Sequence, residues 1–358
     1  MQKSLLYFLT GSIILTLSLH LKAQIPSGYY DGTAQLNGEA LKAALHTIIK
    51  NHQPHTYSQL WQDFIVTDQK PNGKVWDMYS DVPGGTPAYE YTFVSDQCGN
   101  YSGEGSCYNR EHSWPASWFD DQPPMYTDLF HIVPADGYVN NRRGNFPFGE
   151  VGQASWTSTN GSRVGGSVTA GYGGTVFEPI DAYKGDLARG LMYMSARYYQ
   201  EDSNWPGSDM TLGADLKLWA RALLLQWHEQ DPVSDKEIAR NNAIFQIQLN
   251  RNPFIDHPEF AGLIWDPTAS ISDNKISAFK LWPNPANQSV SIEFFGNTSA
   301  SQRILYVTDM TGKLILTQAL NEGETSHTLS VDPLAPGFYF VSLNAQGYHV
   351  STVKLIKK

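Results

Sequence analysis

Apolar residues recur at helical spacing in five separated stretches of the chain. Leu41, Ala44, Leu45, Ile48 and Ile49 follow Asn37, a residue suited to capping, and predict a helix over 37–49. Ser58 to Phe64 predicts a second, and Leu187, Leu191, Met194 and Tyr198 predict another over 186–200. Leu216, Trp219, Leu223 and Trp227 mark a helix over 212–229, and Ser234 and Glu237 have capping-box spacing ahead of Ile238–Leu249. The aromatic and Met stripes of these helices read as core. Lys74–Tyr79 and Tyr89–Phe93 alternate as strands do. Between Tyr101 and Phe177 the chain is dense in Gly, Asn, Trp and Pro and has little periodicity; a long loop-rich segment of that kind in a compact domain is usually functional. Within it, Gly171-Tyr-Gly-Gly174 lacks the strand-to-helix setting of a phosphate loop and reads as a turn.

The pattern changes at both ends. Lys3 precedes a mostly apolar stretch from Leu5 to Leu19, shorter than the roughly 20 residues that span a bilayer. Residues 1–23 therefore read as a secretory signal, with cleavage after Ala23, and no second apolar run is long enough to anchor the mature chain. At the other end, 268–276 is rich in Ser, Asp and Asn, as a linker would be. Short alternating runs follow, such as Val290–Phe294, Ile304–Val307 and Phe338–Val341, with turn signals at Gly312, Gly323 and Gly337. This pattern predicts a small all-β sandwich over 277–358. The expected fold class is α+β, with a main domain over 24–267 ahead of that sandwich.

Charge narrows the functional classes. Loss of Lys3 and Lys22 takes the net charge from −10 to −12, so no broadly basic surface coats nucleic acid. An enzyme that meets phosphate through a bound cation and a few arginines is still allowed, because the ion then supplies the largest local positive charge. The sequence has two cysteines, Cys98 and Cys107, and in an exported protein they can close a Gly-rich loop.

The densest polar constellation is Asn109-Arg110-Glu111-His112-Ser113-Trp114-Pro115, followed by Asp128-Leu-Phe-His131, Pro134-Ala-Asp136 and Asn140-Asn-Arg-Arg143-Gly-Asn145. Phosphodiester hydrolysis needs a group that activates water, a group that holds a cation, and charge to stabilise the transition state. His112 is the natural base, since neutral imidazole accepts a proton near pH 7. Glu111 and the Asn140 side-chain oxygen are hard ligands suited to Mg²⁺, with Ca²⁺ or Mn²⁺ as alternatives. Adjacent residues on an ideal strand point to opposite faces, so Glu111 and His112 can share a site only where a strand ends or bulges. The alternative for Asn140 is to cap a helix or fill a turn, with Asn141 and Asn145 as rivals for the ligand role. His131 and Asp128 could act directly or orient the site from behind, and His228 and His257 read as structural.

Those blocks, with Gly185-Asp186, Trp227-His-Glu-Gln-Asp-Pro-Val-Ser234 and Asn250-Arg-Asn-Pro-Phe254, resemble the endonuclease I family of secreted bacterial nucleases over most of residues 30–266. The resemblance implies a His-Me finger (ββα-metal) domain that cleaves DNA, and often RNA, to 5′-phosphate ends with Mg²⁺. It places the metal ligands on Glu111 and Asn140 and the general base on His112. Some members carry an arginine shortly after the histidine block to contact the scissile phosphate. Here none lies between Trp114 and Asp128, which leaves Arg143, Arg142 or Arg110, with Arg143 preferred. The tail, through Trp282-Pro-Asn-Pro285, the Thr311-Gly312 turn and Ala335-Pro-Gly337, resembles the C-terminal sorting domain of type IX secretion, which implies the secretion machinery as a partner.

The combined expectation is a secreted or surface-attached, monomeric, metal-dependent endonuclease acting on DNA, with RNA as a possible second substrate. Two other classes compete. A glycan-active or glycan-binding protein, suggested by 10 Trp and 19 Tyr, would need paired carboxylates or a stacking platform. An adhesin with an inactive nuclease fold is disfavoured by the joint presence of Glu111, His112 and Asn140.

Overall fold

The computed structural model describes residues 25–266, 279–295, 303–310, 313–321, 323–345 and 348–358. The expected signal (1–23) and linker (268–276) lie outside these residues. The chain divides between residues 267 and 268 into two compact units.

In the first unit, helices α1 (Gly38–Ile49) and α2 (Leu60–Thr67) precede a long irregular stretch. Strand β1 (Tyr108–His112) then pairs antiparallel with β2 (Ile132–Asp136), and helix α3 (Gly137–Arg143) follows β2 directly. A three-stranded antiparallel sheet comes next, from β3 (Val151–Thr157), β4 (Arg163–Ser167) and β5 (Thr175–Glu178). Helix α4 (Lys184–Arg197) is followed by the two-residue strands β6 (Thr211–Leu212) and β7 (Asp215–Leu216). Helices α5 (Leu218–Gln230), α6 (Asp235–Gln248), α7 (Pro253–Asp256) and α8 (Glu259–Trp265) complete the unit.

Helix α4 is the axis of this unit. It is buried from Lys184 to Arg197 apart from Asp186, and α1, α5 and α7 pack on it. Its charged side chains are paired inside. Arg189 reaches Glu237, with Nη2 2.9 Å from Oε2, and Arg197 Nε donates to His52 Nδ1 at 3.0 Å. Glu237 also closes the capping box of α6, since its carboxylate accepts from the Ser234 amide at 2.8 Å. Gly190 lets α4 approach the ββα unit closely, because a Cβ there would sit 3.1 Å from the Phe130 carbonyl oxygen.

Several expectations needed correction. Residues 74–79 and 89–93 are not strands; they touch through one backbone bond, Val75 N–H to the Tyr91 carbonyl at 2.9 Å, and bury Tyr79 and Tyr91 as irregular chain. The helix expected from 212 starts at Leu218, because 211–216 forms the small hairpin. The aperiodic segment 101–177 holds β1 to β4, most of β5, α3 and two 3₁₀ turns, Ala116–Trp118 and Met125–Thr127, all too short to show periodicity. Cys98 and Cys107 form a disulfide just ahead of β1.

The second unit is an all-β sandwich. Its four-stranded sheet has the order β11 (Leu314–Leu320), β10 (Arg303–Asp309), β13 (Gly337–Ala345), β14 (Tyr348–Lys357). The three-stranded sheet runs β12 (Ser326–Ser330), β9 (Ser289–Phe294), β8 (Phe279–Trp282). Alternation sets the inner faces: Val290, Ile292 and Phe294 from one sheet meet Leu305, Val307 and Val341 from the other in one apolar cluster. Among the described residues, no helix is long and apolar enough to cross a membrane.

Candidate active site

The site is built on the β1–β2–α3 unit. Register pairs Glu111 with Val133 and His112 with Ile132, so both candidate residues occupy the last two positions of β1, where the strand gives out. The chain enters α3 under the control of Asp136, a buried N-cap. Its Oδ1 accepts from the amides of Tyr138 (2.7 Å) and Val139 (2.8 Å), while its Oδ2 accepts from Tyr91 Oη (2.5 Å) and the Gly105 amide (2.8 Å). Because Gly105 belongs to the disulfide loop, one carboxylate ties that loop to the helix carrying Asn140. Asp77 joins the same frame by accepting the Asp136 amide at 2.9 Å, and its burial pushes its carboxyl up to about 7.

Glu111, His112 and Asn140 line a common cleft of about 270 Å³. Glu111 is 2% exposed, and its Oε1 receives Tyr79 Oη at 2.9 Å and lies 3.2 Å from Arg143 Nη1. Burial raises its carboxyl to about 7 against the opposing pull of Arg143 and the Tyr79 hydroxyl. Among the described residues Oε2 has no hydrogen-bond partner, which leaves one carboxylate oxygen for a ligand. Asn140 donates weakly from Nδ2 to the Arg110 carbonyl at 3.5 Å, an orientation that frees its Oδ1. One carboxylate oxygen and one amide oxygen facing a solvent-accessible cleft suit a hydrated Mg²⁺, which keeps several waters and needs only one or two protein groups.

His112 is half-buried. Its ring packs against Tyr126 (4.9 Å between centroids), His131 (5.5 Å) and Tyr57 (6.1 Å). Nε2 lies 3.2 Å from the Tyr126 carbonyl oxygen, a group that can only accept, so Nε2 carries the proton and Nδ1 holds the lone pair. Burial first, then the nearby His131, Arg110 and Arg143, press its pKa down to about 3. The ring is therefore neutral through the ordinary pH range.

Arg143 lines the same cleft, with its guanidinium turned largely into the protein. It is 1% exposed, and its Nη1 and Nη2 donate to the carbonyls of His112 (3.0 Å) and Ser113 (2.6 Å), while its guanidinium lies 4.7 Å above the Phe148 ring. Its Nη1 and Nη2 donors are spent on the strand end and on Glu111, and its Nε is buried without a partner. Arg110 shares the face of His112 on β1 and lines the cleft. It lies over Tyr57 (3.6 Å) and Trp61 (4.2 Å), with one donor committed, Nη1 to the Tyr57 carbonyl at 2.7 Å. Arg142 is exposed on α3, over Trp156 at 5.3 Å.

Asp128 and His131 lie behind the site, both fully buried. Asp128 accepts from Tyr193 and Tyr198 hydroxyls at 2.9 Å each and from Gln248 at 3.1 Å, and His131 Nε2 donates to the Met125 carbonyl at 2.7 Å. His228 is clamped between Arg189 and the Pro258 carbonyl, and His257 pairs with Glu259. The sequence did not single out Tyr79 or Tyr126. Tyr79 lies in an irregular stretch with no motif, and Tyr126 contributes a backbone carbonyl that any residue could supply.

An α+β unit with a carboxylate, an amide and a neutral imidazole at the mouth of one cleft is the kind of site that hydrolyses phosphate esters. Residues 37–259 match the family model described as Endonuclease I, and the chain belongs to that family: it is a nuclease, a phosphodiester hydrolase. An extracellular ribonuclease of Bacillus subtilis (strain 168) is 36% identical over 244 residues, covering 66% of this chain and 78% of the relative. One from Bacillus amyloliquefaciens is 35% identical over 263 residues, 72% of this chain and 82% of the relative. An extracellular deoxyribonuclease of Aeromonas hydrophila is 26% identical over 171 residues, 48% and 63% of the two chains. Residues 280–358 match a secretion system C-terminal sorting domain, so the enzyme is secreted or held at the cell surface.

Proposed function

We propose that this enzyme is a Mg²⁺-dependent, largely sequence-independent endonuclease that hydrolyses DNA and RNA to 5′-phosphate products, and that its β1–β2–α3 unit is a ββα-metal (His-Me finger) site. The observation that carries this reading is the shared cleft of Glu111, His112 and Asn140, with the His112 proton pinned on Nε2 by the Tyr126 carbonyl. His112 Nδ1 takes a proton from water as the water oxygen attacks phosphorus. The P–O3′ bond breaks and the departing 3′-oxygen takes a proton from solvent water, leaving a 5′-phosphate and a 3′-hydroxyl. Glu111 and Asn140 would hold Mg²⁺, which when bound supplies positive charge for the departing 3′-oxygen. Arg143 and Tyr79 fix the Glu111 carboxylate, and Arg110, with donors left over and the same strand face as His112, meets a non-bridging phosphate oxygen.

External water as the nucleophile makes no use of a ribose 2′-hydroxyl, so the site serves both polymers. The two Bacillus relatives bear the name ribonuclease and the Aeromonas relative deoxyribonuclease, which supports the same breadth. The C-terminal sandwich is proposed to be the signal read by the type IX machinery, and the mature enzyme is proposed to act as a monomer. The test is digestion of plasmid DNA and of a long RNA by the mature protein in Mg²⁺ or in EDTA. Both are expected to be degraded only with metal, and the fragments should be ligatable without prior phosphorylation. Fragments ending in 3′-phosphate, or digestion persisting in EDTA, would refute the scheme.

A further inference from the structure

A second cleft, of about 380 Å³, adjoins the catalytic one, and Asn145 lines both. The junction is made by the end of α3. Gly144 at φ 54° turns the chain off the helix, and Asn145 and Phe146 emerge exposed at the rim, the Phe146 side chain 39% accessible. Across from them stands the Tyr172 ring, stacked on Trp219 with centroids 4.5 Å apart and planes at 8°. Its hydroxyl is anchored on Asp209 Oδ2 at 2.8 Å. Thr175 and Ser208 complete the polar wall.

No cationic side chain lines this cleft, so it is unsuited to a phosphate. An exposed aromatic face, a free amide and a carboxylate oxygen left over from the Tyr172 bond suit a flat, neutral heterocycle whose N–H groups need acceptors. We infer that this cleft receives the nucleobase next to the scissile phosphate, stacked on Phe146 with its polar edge turned to Asn145 and Asp209. The subsite deepens the nuclease reading above and rests on it. Stacking tolerates every base, because each has a π-face, so such a subsite positions the strand while leaving cleavage largely independent of sequence. It also requires the base to leave its own stack, so a single strand enters more readily than a duplex.

The test uses the mature enzyme, a single-stranded DNA oligonucleotide of mixed sequence, and the same oligonucleotide with one abasic residue. Cut positions are mapped from end-labelled products. Wild type is expected to cut the intact strand at all linkages and to spare one linkage beside the abasic residue about tenfold. Phe146→Ala should raise KM about tenfold on the intact strand with little change in kcat, and should lose the abasic protection; Phe146→Tyr should keep both wild-type properties. Cleavage by wild type with no protected linkage, or protection that persists in Phe146→Ala, overturns the base subsite and leaves the nuclease reading standing. Absence of cleavage of any oligonucleotide by wild type in Mg²⁺ overturns both.

Discussion

Arg143 and Glu111 form an ion pair at the floor of the catalytic cleft, 3.2 Å apart and almost wholly out of solvent. The same guanidinium holds the carbonyls of His112 and Ser113, so a single side chain fixes both the orientation of the carboxylate and the path of the chain where β1 ends. Removing one partner of a buried pair strands the other charge, at a cost of about 3–5 kcal/mol. Arg143→Ala is therefore expected to lower unfolding free energy by about that amount in urea titrations. A loss under about 1 kcal/mol would show that the pair is not held as described.

Tyr79→Phe removes only the hydroxyl that donates to Glu111 Oε1. The variant should fold, lose about 1–2 kcal/mol of stability, and bind Mg²⁺ more weakly in calorimetric titration, because the carboxylate loses one of its two anchors. Unchanged affinity with unchanged stability would rule out an anchoring role.

The Cys98–Cys107 disulfide closes a short loop that Asp136 grips through the Gly105 amide. Replacing both cysteines with serine should cost about 2.5 kcal/mol by the chain-entropy estimate for a loop of this size. Thermal melts of the two proteins measure this directly. Activity well below the melt should survive, since the loop contributes no side chain to the cleft.

His228 sets an acid limit on folding. Burial first, then Arg189, lowers its pKa to about 4, below the roughly 6.5 of an unfolded histidine. The unfolded state therefore binds a proton more readily; the contribution is complete above about pH 6.5 and is lost as pH falls toward 4. His52 and His131 are shifted the same way by their own burial. Between pH 7 and 4.5 wild type should lose stability relative to His228→Gln, a comparison that cancels the opposite pull of the raised carboxyls of Asp77 and Glu111. An unchanged slope in that variant would contradict the neutral buried ring.

How much of this was legible in the sequence depends on the period of each element. The helices around α4 and the strands of the second unit repeat an apolar spacing over several turns or pleats, and the capping box at Ser234 showed in residue type alone. Residues 74–79 misled because Val75 and Tyr79 are buried by tertiary packing on irregular backbone, a burial that alternation along five residues cannot distinguish from a strand. The site residues stood out as a chemically dense block, and the strand-end requirement for Glu111 and His112 followed from side-chain alternation. The fate of Arg143 did not, because only the fold shows that its donors meet carbonyls 30 and 31 residues away rather than solvent. Likewise the Tyr126 carbonyl, which assigns the His112 tautomer, leaves no mark on residue identity.

The most direct test of the account is the rate of plasmid cleavage by His112→Ala in saturating Mg²⁺, compared with wild type at matched stability. Loss of the general base should slow cleavage by about 10²–10⁴-fold while the melting temperature and Mg²⁺ affinity stay close to wild type. A variant that cleaves within about threefold of wild type would contradict proton abstraction by this imidazole, and with it the reading of the cleft.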